Sequence, residues 1–88
     1  MLTADYTGQF KRDYKQAIKR NWDIPLLDGI ICDLIEEKTL PPKNRDHSLE
    51  GKYKNCRECH VKPDWLLIYQ VGNGVIVFER TGTHSELF

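Results

Sequence analysis

Two apolar runs, residues 65–71 (WLLIYQV) and 75–80 (VIVFER), stand on either side of Gly72-Asn73-Gly74. Each has the length of a strand, and the three residues between them are a hairpin turn signal. The second run therefore returns antiparallel to the first. Residues 56–61 supply a third strand, with a turn at Lys62-Pro63-Asp64. This hairpin fixes the second half of the chain as β.

The first half carries helical spacing instead. Residues 2–6 read as a short leading strand, and Thr7 then offers an N-cap hydroxyl. Phe10, Tyr14, Ala17 and Ile18 fall on one helical face among charged neighbours. Asn21 and Trp22 end this helix. Asp23 caps a second, in which Pro25 is tolerated in the first turn. Its apolar stripe is Leu27, Ile31, Leu34 and Ile35, and Pro41-Pro42 stops it. The short link between the helices predicts an antiparallel hairpin. Residues 41–54 lack a period and read as a loop of functional length. The expected fold is α+β: a single domain over 1–88, order βααβββ, with a helical hairpin on one face of a small antiparallel sheet.

Composition removes several classes of function. The 88 residues are 40% hydrophobic and 30% charged, as in a soluble globular domain. No apolar run of about 18 residues is present to span a membrane, and the opening residues lack a signal-peptide core. These features point to the cytoplasm, where three cysteines are expected to be free thiols. The net charge is +0, but the sequence is segmented. Lys11, Arg12, Lys15, Lys19 and Arg20 precede an acidic block of Asp23, Asp28, Asp33, Glu36 and Glu37. Residues 43–62 are basic again, which permits an anionic partner.

Cys56-Arg57-Glu58-Cys59-His60 has the form of a haem-attachment run, half a zinc site or a redox pair. On a strand, alternate side chains point to opposite faces. Cys56, Glu58 and His60 then share one face, and Arg57, Cys59 and Val61 the other. The two thiols diverge, so no haem, metal or other cofactor is expected, and His60 beside Glu58 is left as the reactive pair. His47 lies in the loop and His84 beyond the last strand. Antiparallel pairing can bring Glu58, His60, Asp64 and Arg80 to one end of the sheet near both. Such a set suits metal-free phosphodiester cleavage. A base takes the proton of a ribose 2′-OH, a cation stabilises the charged phosphate and an acid protonates the leaving oxygen. Lys52, Lys54 and Arg57 are candidate phosphate contacts. Trp65 and Phe88 are candidate stacking platforms for bases.

Three motifs carry a resemblance. They are D-H-x-L-x-G at Asp46, His47, Leu49 and Gly51, the run from Arg57 through Glu58, His60, Val61, Pro63 and Asp64 to Trp65, and the ending Arg80, Gly82, Thr83, His84, Leu87 and Phe88. Residues 46–88 closely resemble YafQ-type toxins of the RelE/ParE superfamily. The resemblance implies an endoribonuclease that cuts mRNA in the ribosomal A site and contacts ribosomal RNA. It also implies a cognate antitoxin, through which alone operator DNA is bound. His47, His60, Asp64 and His84 match the family's acid–base set, Arg80 a phosphate-contacting arginine, and Phe88 an aromatic that touches mRNA. Glu58 stands where some members have aspartate. His84 is the preferred acid, with His60 or Asp64 as base. The acidic second helix is expected to face away from ribosomal RNA. Relatives that act on DNA gyrase share the fold but generally lack the histidine set, so the rival reading is a non-nucleolytic or inactive interaction protein.

Overall fold

The computed structural model describes residues 1–88. Strand β1 (Thr3–Tyr6) leads into helices α1 (Gly8–Lys19) and α2 (Ile24–Ile35). Strands β2 (His47–Ser48), β3 (Arg57–Lys62), β4 (Trp65–Gly72) and β5 (Val75–Gly82) follow, and a one-turn helix α3 (His84–Leu87) closes the chain. The sheet order is β1-β5-β4-β3-β2. The sheet is mixed, which corrects the expectation of a purely antiparallel one: β1 runs parallel to β5, with Thr3 opposite Val75. No helix is long and apolar enough to cross a membrane.

Both helices start where the sequence placed a cap. Thr7 Oγ1 accepts from the Phe10 N–H at 2.9 Å and donates to the Glu79 carbonyl at 2.8 Å, so one hydroxyl caps α1 and ties it to β5. Asp23 caps α2 through the Leu26 N–H. The Tyr14 hydroxyl donates to Asp28 at 2.7 Å and links the two helices. Ile18, placed by its spacing on the buried face of α1, is 50% exposed because it follows the buried Ala17 directly and so is turned about 100° around the helix from it.

The main core lies between the helices and one face of the sheet. Phe10, Leu27, Ile31 and Leu34 meet Cys59, Leu67, Tyr69, Ile76 and Phe78 there. A smaller cluster of Cys56, Leu66, Ile68 and Leu87 covers the other face, flanked by Leu49 and Tyr53. Strand β4 is thus buried on both sides. From Trp65 to Tyr69 its sequence is continuously apolar for that reason and does not alternate. The β4–β5 turn places Asn73 and Gly74 at φ 53° and 76°, two left-handed residues in succession, as a tight hairpin of matching twist requires.

The segment read as a loop is ordered. Two single 3₁₀ turns, Pro42–Asn44 and Gly51–Tyr53, flank β2. Asn44 is buried, and its amide donates to the His60 carbonyl at 2.7 Å. That bond anchors the segment to β3 and brings His47 beside it.

Candidate active site

Register builds the site. His47 on β2 lies opposite Glu58 on β3, Glu58 opposite Ile68 on β4, and Ile68 opposite Arg80 on β5. Residues directly opposite each other project from the same face, so His47, Glu58 and Arg80 rise from the face away from the helices. His60, opposite Leu66, belongs to the next row on that face. A bulge in the β4–β5 ladder decides the placement of Arg80: Tyr69 pairs with Phe78, but Ile68 pairs with Arg80. Glu79 is the extra residue. In a regular strand Arg80 would share the core face of Phe78, and the bulge turns it to the open one.

Five of the expected residues form a chain of contacts. His47 Nε2 lies 2.9 Å from Glu58 Oε2, and His60 Nε2 lies 3.5 Å from the same oxygen. Glu58 is only 4% exposed. The His60 and His84 rings are 5.8 Å apart between centroids. Asp64 Oδ1 accepts both the His84 backbone N–H at 3.0 Å and its Nδ1–H at 2.9 Å. These bonds from His84 hold the Asp64 carboxyl below its ordinary range. A carboxylate only accepts, so Nδ1 of His84 carries a proton and Nε2 is left to exchange one. His60 Nδ1 faces the Pro63 carbonyl at 3.3 Å and therefore also carries its proton. His47 stands between two acceptors, Glu58 and the Ser48 carbonyl at 3.1 Å from Nδ1. Either its ring is fully protonated or Glu58 holds the proton between them.

Arg80 faces the same side but is not in the imidazole chain. Its Nε and Nη2 donate to Asp13 of α1 at 2.8 and 3.2 Å, and Asp13 also accepts from the Thr81 N–H. Asp13 escaped the sequence reading because its helix gives no hint that it reaches across to the bulge. Tyr53 was also missed. Its hydroxyl donates to the Leu87 carbonyl at 3.0 Å, and its ring meets Phe88 edge-on at 5.4 Å. Phe88 is 58% exposed, open enough for an aromatic contact. Lys52 approaches the Leu87 carbonyl at 3.4 Å, and Lys54 is exposed nearby.

Two expectations fail on geometry. Trp65 is not a stacking platform: it is 4% exposed, and its indole donates to Thr81 Oγ1 at 2.9 Å inside the core. Arg57 shares the Cys59 side of β3, away from the histidines, where its Nε donates to Asp46 at 3.1 Å. The Tyr69 hydroxyl holds the same carboxylate. The divergence of the thiols is as the alternation required. Cys56 sits in the small cluster and Cys59 in the main core. Burial pushes the Cys59 thiol up to about 12 and raises that of Cys56, so both stay protonated. The donor atoms able to gather on a cation are those of His47, Glu58 and His60, which lie within 4.8 Å of one another.

Helix α3, which carries His84, is clamped to α1. Arg20 grips Glu86 with both guanidinium nitrogens, Nη1 at 2.9 Å. Glu86 in turn completes a capping box with Thr83. The guanidinium holds the Glu86 carboxyl at about 2, below its ordinary 4.5. A carboxyl lowered on folding stabilises the fold above its unfolded value and loses that contribution as pH falls through the folded one. Glu86→Gln keeps the capping box and is expected to melt below the wild type at pH 6. In thermal melts that gap should narrow from about pH 4.5 and close near pH 2.

An open sheet face carrying His47 and His60, with His84 beside it on α3 and two helices behind, defines a small α+β protein with a candidate acid–base site. Residues 2–88 match the model of a family described as bacterial toxins of type II toxin–antitoxin systems, YafQ. The mRNA interferase toxin YafQ of Escherichia coli K12 is 44% identical over 96% of this chain and 92% of its own. The structure of the E. coli DinJ–YafQ complex superposes with a TM-score of 0.93 at 42% identity, over 100% of this chain and 99% of that one. A metal-bound toxin from Helicobacter pylori matches with a TM-score of 0.93 and 42% identity over the whole of both chains. The chain belongs to the YafQ family of type II toxins.

Proposed function

We propose that this chain is an mRNA interferase: an endoribonuclease that acts on messages in the ribosomal A site and is silenced by a cognate antitoxin. The observation that carries the reading is the 5.8 Å between the His60 and His84 rings. Two imidazoles that far apart can flank one phosphodiester, one on the attacking oxygen and one on the leaving oxygen. His60, its Nδ1–H held by the Pro63 carbonyl, is the base: it takes the 2′-OH proton on Nε2, and the Glu58 carboxylate 3.5 Å from that nitrogen stabilises the imidazolium that forms. The O2′–P bond forms as the P–O5′ bond breaks, and His84 delivers its Nε2 proton to O5′. The products are a 2′,3′-cyclic phosphate and a 5′-hydroxyl. Asp64, bound to His84 and lowered, is a poor base and serves to orient the acid, with His47 completing the set around Glu58. Arg80 supplies the guanidinium for the phosphate once Asp13 shares or releases it. Lys52, Lys54 and Phe88 line the way along the RNA.

The helical layer, with Asp28, Asp33, Glu36 and Glu37, lies behind the sheet, so of that acidic block only Asp23 comes near the face offered to RNA, sharing a cleft with Asp64. The relative that forms the DinJ–YafQ complex supports a protein antitoxin as partner. Cytoplasmic action follows from the substrate.

Primer extension on translated messages after brief induction tests the reading. Cuts inside codons that leave 2′,3′-cyclic-phosphate ends are expected. Because His47 and His60 share Glu58 as a cation-sized cluster, added Cu²⁺ or Zn²⁺ should inhibit by occupying the imidazole lone pairs. Intact messages accompanied by DNA damage would favour the gyrase-directed alternative, and intact messages without growth arrest an inactive interaction protein.

A further inference from the structure

Asp13 lies on α1, outside the imidazole chain, and fastens the bulged stretch of β5 to that helix. Its Oδ2 accepts from Arg80 Nε at 2.8 Å and from the Thr81 N–H at 3.2 Å. Its Oδ1 accepts from Arg80 Nη2 at 3.2 Å and from Gln9 Nε2 at 3.1 Å. We propose that Asp13 is a positioning residue for cleavage: it grips the side edge of the Arg80 guanidinium so that the end edge, Nη1 and Nη2, is held ready for the scissile phosphate. This role rests on the nuclease reading, and in it Asp13 shares the guanidinium with the phosphate and does not release it.

A guanidinium offers five N–H donors in one planar fork. Asp13 takes Nε–H and one N–H of Nη2. The end edge keeps a donor on each terminal nitrogen, and such a pair binds a phosphate by two parallel bonds. The grip is also rigid. Each Asp13 oxygen receives two donors, so its lone-pair sites are filled and the carboxylate cannot turn to follow a moving arginine. The backbone on either side of Arg80 is tied to the start of α1 as well. Thr7 Oγ1 donates to the Glu79 carbonyl at 2.8 Å, and Asp13 takes the Thr81 N–H. The Asp13 side chain is only 11% exposed, which limits competition from water. Tyr53, packed on the Leu66 and Ile68 cluster of the open face, also stands beside the guanidinium. Asp13 first, and then Tyr53, hold Arg80 above its ordinary pKa. The guanidinium therefore spans from the helix edge to the face on which Arg80 shares a register row with Glu58. The carboxylate offsets part of the arginine's charge and so weakens its pull on RNA before reaction. What it supplies is placement, which counts most when charge builds on the phosphate in the transition state.

The test pairs thermal melts with cleavage kinetics of the intact toxin in a reconstituted translation reaction. Asp13→Asn removes the charge and one acceptor oxygen. It is expected to lower kcat about 10- to 100-fold, the scale of a reacting group misplaced by about 1 Å, with KM unchanged or lower. Arg80→Ala should lose about 10²–10³-fold in kcat, and adding Asp13→Asn to it should cost nothing more. Asp13→Glu keeps the charge and shifts the carboxylate by one methylene. It serves if Asp13→Asn does not fold, and is expected to lower kcat about 10-fold. A raised kcat in Asp13→Asn would overturn the inference, because Asp13 would then be a brake that Arg80 must leave. Wild-type kcat with a lowered Tm in either Asp13 variant would also overturn it and leave the carboxylate a structural role. So would a further loss of kcat when Asp13→Asn is added to Arg80→Ala. In each of these cases the nuclease reading stands. Arg80→Ala at the wild-type rate would remove the arginine from the reaction, and Asp13 with it. If the wild type itself leaves messages intact, the nuclease reading falls and takes the positioning role with it.

Discussion

Replacing His84 by alanine lowers the rate of message cleavage by about 10²–10⁴-fold, the usual contribution of a positioned acid or base. The loss falls on kcat, because His84 gives a proton to the leaving oxygen and does little to hold the RNA before that moment. Stability should hardly change. The His84 side chain is 52% exposed, and its one side-chain bond is to an exposed carboxylate. Antitoxin affinity is the control, since a folded, silent enzyme still binds its partner. Asp64→Asn is a milder lesion. It can still accept from the backbone N–H of His84 but no longer fixes the Nδ1 proton with a full charge. Its kcat should fall less than that of His84→Ala; a general acid must be protonated and a general base deprotonated, so His84→Ala should lose the high-pH limb of the rate profile and His60→Gln the low-pH limb. Wild-type rates in the His84→Ala, His60→Gln double variant would end the assignment.

Phe78→Ala costs about 3–5 kcal/mol of stability. Phe78 is fully buried on β5, the strand that binds both β1 and β4. Its ring lies 5.4 Å from Tyr6, 5.9 Å from Phe10 and 6.5 Å from Tyr69, so its loss leaves a cavity that β1, α1 and β4 all border. Each kcal/mol shifts the midpoint of a domain this size by roughly 4–8 °C. A drop of about 12 °C or more in Tm is therefore expected. A smaller drop would mean that the helix layer collapses onto the gap. The catalytic face, which lies across the sheet, should keep its geometry below the new midpoint.

These two substitutions bracket what the amino-acid sequence could and could not reveal. The strands, helices and caps were legible because each depends on neighbours within a few residues. Thr7 and Asp23 sit at the helix starts, and the divergence of Cys56 from Cys59 follows from β alternation alone. The proposed acid–base residues were legible as candidates because the family motifs mark His47, His60, Asp64 and His84. What stayed hidden depends on partners far along the chain. Asp13 meets Arg80 only because a bulge reverses the strand there, and no local pattern marks the bulge. Trp65 could be read as core or as a stacking platform, and only its distant partners Thr81 and Trp22 place it in the core. Ile18 shares the spacing of the stripe but sits at its margin, turned from Ala17 toward solvent. The four residues of β1 are mostly exposed, and their partner lies some seventy positions away, so their direction in the sheet could not be inferred.

The parallel seam between β1 and β5 has a consequence for how the toxin comes into being. During synthesis the leading strand and both helices emerge first, with no neighbour to complete their layer, because β5 is the only strand that β1 touches. Closure of such a distant pairing waits until nearly the whole polypeptide is free, and contacts so remote in sequence make that closure slow. The candidate site, which takes Arg80 from the same strand, is thereby completed only when synthesis is nearly over.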